Sequence, residues 1–413
     1  MGQKSHTLTV VIPALNEEKA IGNTIERCLD ARTHIVQHSG VADVEIIVVS
    51  DGSSDRTEEI ACGYEGVTVL AFEKNRGYGA AIKCGFEHGR GDLVGFLDAD
   101  GTCDPKIFSK LCSAIDEEGA DIVLGSRMGP GSSMPMMRSV GNTLFAMMLG
   151  ILSKRSVRDT ASGMRVIRRK CLSDLYPLPD GLHFTPAMSA GSLLAGKLKL
   201  LEVSMPYAER VGESKLSVVK DGIRFFRVII QAAMCYRPAR PLLIGAGVLA
   251  VVSVLVGLGP MAFYLGTGTL EEWMIYRVLM SSLLMTGVAL LVCGAVIAER
   301  IAATAHGRPV ASTGVSRIVE KLFAPAWRRI IGAALLASAA LFAWPGIVQY
   351  VTTGEVYLHW SRAVLAALLV VLTAVLVITT FLLNMMDLIR AKHADNQSVS
   401  APDRVHSVRS LQT

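Results

Sequence analysis

Between residues 240 and 389 the chain carries four long runs with few or no charges, at about 240–264, 275–298, 330–351 and 362–389. Each is long enough to cross a hydrocarbon core, which takes ~20 apolar residues as a helix. Lipid offers no hydrogen bonds, so a spanning segment must satisfy its own backbone, and separate runs of this length can only be helices. The hydrophobic fraction of the 413 residues, 51%, is too high for an ordinary soluble protein, and these runs hold the excess. Residues 1–235 read instead as a mixed α/β domain. A net charge of +5 is small for this length and gives a nucleic-acid partner little support. The eight cysteines show no Cys-x-x-Cys pair, which suits reduced core thiols in a cytosol-facing domain. No signal peptide is expected, because the first apolar stretch, residues 8–13, is far too short.

Charge around the spans sets an orientation. The segment 299–329 carries Arg300, Arg308, Arg317, Lys321, Arg328 and Arg329. The short loops near 265–274 and 352–361 carry Glu271, Glu272 and Glu355 and no Lys or Arg. Positive-inside bias puts that segment, the α/β domain and both termini in the cytoplasm of an integral membrane protein, a bacterial inner membrane being expected. Asn384 and Asp387 then mark the cytoplasmic edge of the last span. Residues 217–236 have apolar positions at 219, 223, 226, 230 and 233 among Lys220, Arg224 and Arg227. Placed just before a span, this pattern predicts an amphipathic helix at the bilayer surface. The expected divisions are an α/β domain over 1–216, this helix over 217–238, the spans over 239–390 and a disordered tail over 391–413.

In the first half, β-branched and apolar runs at 7–12, 44–50, 67–72, 93–97 and 121–125 read as buried strands alternating with helices. Asn16 is expected to cap the first helix, with Glu17 and Glu18 at its positive end, and Asp55 with Glu58 to form a capping box. Such alternation implies βαβ units and a mostly parallel sheet, whose ligands sit at the carboxyl ends of the strands. Asn16/Glu17, Asp51, Asn75/Arg76 and Asp98/Asp100 all fall at those ends. Asp51-Gly52 alone suits a turn and Gly77-x-Gly79 a helix entry, but four such ends together suit a nucleotide diphosphate. The fourth strand runs into Asp98-Ala99-Asp100-Gly101. In extended backbone an i, i+2 spacing puts both carboxylates on one side. Asp98 and Asp100 are therefore the expected ligands of Mg²⁺ or Mn²⁺, a hard cation that shares its remaining positions with substrate phosphates.

The ordered set 11–18 (VIPALNEE), 51–55 (DGSSD), Asn75-x-Gly77-x-Gly79 and Asp98-Ala99-Asp100 resembles glycosyltransferase family 2, the GT-A fold with its Asp-x-Asp motif. Gly125-Ser126-Arg127, residues 159–165 (DTASGMR) and Arg210-x-Gly212-Glu213-Ser214-Lys215 are similar to its polyprenyl-phosphate sugar synthases, the dolichyl-phosphate mannose and glucose synthases and bacterial relatives. The resemblance covers about residues 7–235. It implies that Pro13, Leu15, Glu17, Asp51, Asn75, Gly79, Asp98 and Ala99 bind the nucleotide. It implies further that Asp98, Asp100, Arg127 and Arg165 are catalytic, and that Arg127, Ser162, Arg165, Arg210, Ser214 and Lys215 bind phosphate of donor or acceptor. Gly101-Thr102 stand where many mannose synthases carry a metal-binding Gln. The implied partners are a nucleotide diphosphate sugar (UDP-glucose or GDP-mannose foremost), polyprenyl phosphate and the bilayer, with self-association left open.

Residues 182–196 contain no carboxylate. A neutral sugar hydroxyl needs a base to take its proton, whereas a monoalkyl phosphate is already anionic at neutral pH. That favours a lipid-phosphate acceptor. A processive polysaccharide synthase shares the fold, but usually carries Gln-x-x-Arg-Trp, and none of the four Trp here follows an Arg. A non-catalytic scaffold or transporter of lipid-linked sugar has no use for the intact Asp-x-Asp.

Overall fold

The structure is a computed structural model that describes residues 6–129, 132–208, 217–306, 318, 321–357 and 359–399. The chain divides into two compact units, residues 1–237 and 238–413.

The first unit is built on seven strands: β1 (His6–Ala14), β2 (Val41–Ser50), β3 (Thr68–Ala71), β4 (Leu93–Phe96), β5 (Ile122–Ser126), β6 (Arg165–Arg168) and β7 (Leu200–Ser204). Their order in the sheet is β3-β2-β1-β4-β6-β5-β7. Only β6 runs against its neighbours, pairing antiparallel with both β4 and β5. Alternation along the strands feeds two cores. Val10, Ile12, Ile46 and Val48 face α1 (Ile21–His38) and, further along, α4 (Phe108–Glu117). Val11, Ile47 and Val49 face α3 (Tyr78–His88) and α7 (Phe184–Ala195). Sheets covered on both faces show such near-continuous apolar strands. Chain order reverses at β1, which has β2 on one side and β4 on the other. Ligands of open α/β sheets bind outside the carboxyl ends at such a switch point.

Several expectations change in detail. The fourth strand ends at Phe96, so both acids lie beyond it, Asp98 two residues on and Asp100 in the turn at 99–100. Asn16 does not cap α1, which starts at Ile21 behind Ala20. It takes a positive φ of 49° and its Oδ1 accepts from Ser54 N, fastening the β1 loop to the β2 loop. Asp55 accepts from Thr57 N at the start of α2 (Thr57–Cys62), but Glu58 returns no bond among the described residues. The eight cysteines are free, yet Cys62 and Cys235 are exposed rather than core.

Three further helices complete this unit: α5 (Met136–Ser153), the short α6 (Leu172–Leu175) and α8 (Val218–Tyr236). The compact unit ends at Arg237, not near residue 216, because α8 is packed into it. Phe225, Ile229 and Ala233 are buried, the last two in a cluster with Leu149 and Leu152 of α5 and Ala190, Leu193 and Leu194 of α7. The adjoining face of α8 leaves Val219, Ile223 and Phe226 exposed. An amphipathic helix is thus present, with one apolar face spent on the domain and a second turned outward.

Among the described residues the second unit holds four helices long and apolar enough to cross a membrane: α9 (Ala239–Thr267), α10 (Ile275–Ala305), α11 (Pro325–Thr353) and α12 (Trp360–Val399). They pack as the hairpins α9–α10 and α11–α12, joined by α10 against α12. Ser253 Oγ donates to Ser281 O across the first hairpin. At the other end Arg300 pairs with Asp387, and Arg328 donates to Asn384 Oδ1. Asn384 and Asp387 thus tie helices together where only an edge was expected. The last helix continues to Val399, past the point where a disordered tail was expected to begin. Polar residues extend a helix already nucleated in the span, since propagation costs far less than nucleation.

Candidate active site

Residues from the ends of β1, β2 and β4 converge on one cavity of about 450 Å³. Pro13, Leu15 and Glu17 follow β1, Asp51 follows β2, and Asp98, Ala99 and Asp100 follow β4; all line it, together with Asn75 and Arg127. Apolar side chains line it too: Met134, Met137 and Phe145 from and before α5, and Phe225 from α8. Phe145 and Phe225 meet edge to face, with centroids 5.9 Å apart. Arg127, Arg138 and Arg224 line the same cavity.

Each acidic group is held from behind. Asp51 accepts from Arg76 N at 2.7 Å and Gly77 N at 3.0 Å, which draws the 75–77 loop over the end of β2. Burial pushes its carboxyl above the usual carboxylate range, and the two amides only partly offset this. Asp98 Oδ1 accepts from Tyr78 Oη at 2.7 Å. Burial, and then the Asp98 charge, drive the Tyr78 phenol well above its usual range, so it stays a donor. Asp100 Oδ1 accepts from Thr102 N and Oγ1, so Thr102 orients the carboxylate here. No group of three or more His, Cys, Asp or Glu side chains suited to a metal is present among the described residues. Two oxygen-donor carboxylates on one cavity wall fit a hard divalent cation only if substrate phosphates complete its shell.

Arg127 leaves the end of β5 and forks onto Asp159: Nε to Oδ2 at 2.7 Å and Nη2 to Oδ1 at 2.8 Å. Burial alone acts to lower the Arg127 pKa, but the Asp159 carboxylate overrides it and raises it. Asp159 shows the converse: burial acts upward, and Arg127 brings it below the usual range. The Tyr207 ring covers the guanidinium, 5.5 Å from its centroid.

The segment 159–163 organises this arrangement. Glu202 accepts from Arg158 N and Asp159 N, and Asn142 Oδ1 of α5 accepts from Thr160 N and Oγ1. Arg165, fully buried on β6, donates to Ser162 O and Thr160 O, and Ser162 Oγ bonds Gly125 O. Neither Arg165 nor Ser162 lines the cavity, so the phosphate-binding role that the resemblance implied for them is not where the structure puts them. Both brace the loop from within, and burial lowers the Arg165 pKa to about 10. Gly163 ends the segment against Asp98: a Cβ there would fall 2.0 Å from Asp98 Oδ2. Gly79 is also corrected. It faces the 179–180 backbone, where a Cβ would meet Pro179 O at 2.2 Å, and not the nucleotide wall. Arg210, Ser214 and Lys215 lie outside the described residues.

Sequence reasoning missed Tyr78, Tyr207, Arg138, Asn142 and Phe145 as wall or support. Tyr78 was within reach, since it stands between the two glycines of Asn75-x-Gly77-x-Gly79. The α5 residues reach the site only through tertiary packing.

Comparison with known proteins agrees with the geometry. Residues 9–176 match the Glycosyl transferase family 2 profile. A dolichyl-phosphate hexose transferase of Haloferax volcanii is 32% identical over 236 residues, 55% of this chain and 94% of that one. A low-salt glycan biosynthesis hexosyltransferase of the same organism is 35% identical over 258 residues, 60% of this chain and 58% of its own length. A dodecaprenyl-phosphate galacturonate synthase of Rhizobium johnstonii is 27% identical over 319 residues, 73% of this chain and 89% of that one. The chain belongs to glycosyltransferase family 2. It is a glycosyltransferase whose second unit carries, among the described residues, four helices long and apolar enough to span a membrane.

Proposed function

We propose that the protein transfers a single hexose, with inversion, from a nucleotide diphosphate sugar to polyprenyl phosphate at the cytoplasmic face of the membrane. One observation carries this reading: a single cavity is lined by strand-end carboxylates, by arginines and by apolar side chains of α5 and α8. Those three chemistries match a nucleotide, phosphates and an isoprenoid chain. The relatives' names support the acceptor class.

Pro13, Leu15, Glu17, Asp51 and Asn75 hold the base and ribose. Asp98 and Asp100 would hold Mg²⁺ or Mn²⁺, which when bound neutralises charge on the donor diphosphate. Arg127, already forked onto Asp159 and half-buried, presents its remaining N–H edge to phosphate. The lipid phosphate oxygen attacks the anomeric carbon from the face opposite the departing diphosphate. The attacking oxygen carries no proton to remove, and the stretch facing the cavity before and within α7, Gly181, Leu182 and Thr185, supplies no base. Catalysis is then positional and electrostatic. Arg210, Ser214 and Lys215, just before α8, complete the phosphate pocket in this account, with Arg offering forked donors and Lys a point charge.

Membranes holding the full chain should release nucleotide diphosphate from one member of a panel of labelled nucleotide sugars only when polyprenyl phosphate is added. Acceptor-independent consumption would point to a processive synthase, and no consumption of any donor to a scaffold. Asp100→Asn should abolish the release while leaving the protein folded.

A further inference from the structure

A second cavity, of about 740 Å³, opens at the C-terminal end of α5 and shares no wall residue with the first. Its wall includes Met128, Thr143, Met147, Lys154, Arg155 and Arg158, and no carboxylate. Lys154 and Arg158 make no ion pair among the described residues, and Arg155 gives one N–H to Leu198 O at 3.2 Å. A lysine at the helix C-terminus complements the dipole. Two arginines beyond it, around a concave surface, exceed that need.

The outer face of α5 leads directly to this cavity. Met136, Val140, Leu144, Met147 and Ile151 recur at helical spacing and are 53–81% exposed, while Asn142, Leu149 and Leu152 face inward. An 18-residue helix with an outward apolar stripe is inverted relative to a water-facing surface helix. Apolar surface ending in unpaired cations has the chemistry of one occupant: an anionic phospholipid, tails along the stripe and headgroup phosphate in the cavity.

We infer that the cavity formed by Lys154, Arg155 and Arg158 binds the headgroup of an anionic phospholipid and seats the outward face of α5 in the bilayer. This inference rests on the membrane reading above. It adds a lipid site separate from the acceptor site, and it makes activity responsive to the anionic lipid content of the membrane.

The test uses the full chain in nanodiscs of equimolar phosphatidylcholine and phosphatidylglycerol. A photoreactive benzophenone residue replaces Met147, or Ile244 of α9 as a control for the spans. Position 147 should form lipid adducts enriched in phosphatidylglycerol by at least about fivefold, the effect of a single cation near the surface. The Lys154→Gln/Arg158→Gln pair should bring that ratio close to the one seen at position 244, without changing turnover in pure phosphatidylcholine. Adducts at 244 but none at 147 would overturn the inference and leave the membrane reading intact. Adducts at neither position would remove both. Adducts at 147 with no phosphatidylglycerol preference, a preference that survives the double substitution, or adducts to another protein would also overturn it.

Discussion

At the scale of single residues, the site depends on contacts that fix charged groups before any substrate arrives. Gly163 is the tightest. An added methyl would overlap Asp98 Oδ2, so Gly163→Ala must displace either that carboxylate or the 159–163 segment. Overpacking of this kind costs about 1–3 kcal/mol. Turnover should fall by more than tenfold and the Mn²⁺ concentration for half-maximal activity should rise. Wild-type metal dependence in a folded Gly163→Ala protein would show that the position of Asp98 is not critical. The Arg127–Asp159 pair gives a prediction in pH. Arg127 holds the Asp159 carboxyl below the usual carboxylate range despite its burial. A depressed folded-state pKa means that the pair's stabilisation is fully present above the ordinary value near 3.8 and is lost as pH falls through the lower folded value. Asp159→Ala leaves Arg127 unpaired and should cost about 3–5 kcal/mol at pH 7. Denaturant unfolding at pH 7 and pH 3 should show the difference shrinking only at the acid end. The strand-end acids were legible in the sequence because a chain reversal after each strand must expose its polar residues on one edge. The bracing roles of Arg165 and Ser162 were not, since a motif records which residues occur together and not which way a side chain turns from the strand. Arg165 looked like a phosphate ligand by type and is instead a buried support by placement.

At the scale of elements, the β-rich runs announced themselves because five of the strands are apolar on both faces. β6 and β7 were harder. β6 is only four residues long, starts on a buried arginine and runs antiparallel, so neither hydrophobicity nor βαβ rhythm marks it. α5 was missed as part of the site for a different reason: its contribution depends on packing against α8, and no local pattern encodes that contact. The segment before α8 carries the element-scale prediction. If Arg210 and Lys215 contact phosphate, Arg210→Ala and Lys215→Ala should each slow transfer about ten- to a hundredfold, the range for a charge-assisted hydrogen bond. Arg210→Lys should recover part of the rate, keeping charge but losing the forked donors. Transfer measured against polyprenyl-phosphate concentration checks this, and wild-type kinetics in both alanine variants would remove the segment from the site.

At the scale of the whole molecule, two compact units have separate tasks. The residues proposed to hold the nucleotide lie within residues 13–127, well inside the first unit, so residues 1–237 alone should bind the nucleotide sugar. Transfer to long-chain lipid by that fragment should fall, because the spans keep the full chain where its acceptor is. A folded fragment that shows no heat of nucleotide binding in calorimetry would mean that the site is misassigned. The spans were legible from composition alone, since apolar length is the whole signal. The two-hairpin packing was only partly so. Arg300 with Asp387 and Arg328 with Asn384 join α10, α11 and α12 through residues far apart in the chain. The most direct test of the whole account is mass spectrometry of the chloroform extract after the full chain in membranes meets polyprenyl phosphate and its donor. The account predicts one new species, the polyprenyl phosphate plus a single hexose, absent with Asp100→Asn. An extract without that species, with the label in a water-soluble polymer or free sugar, would contradict it.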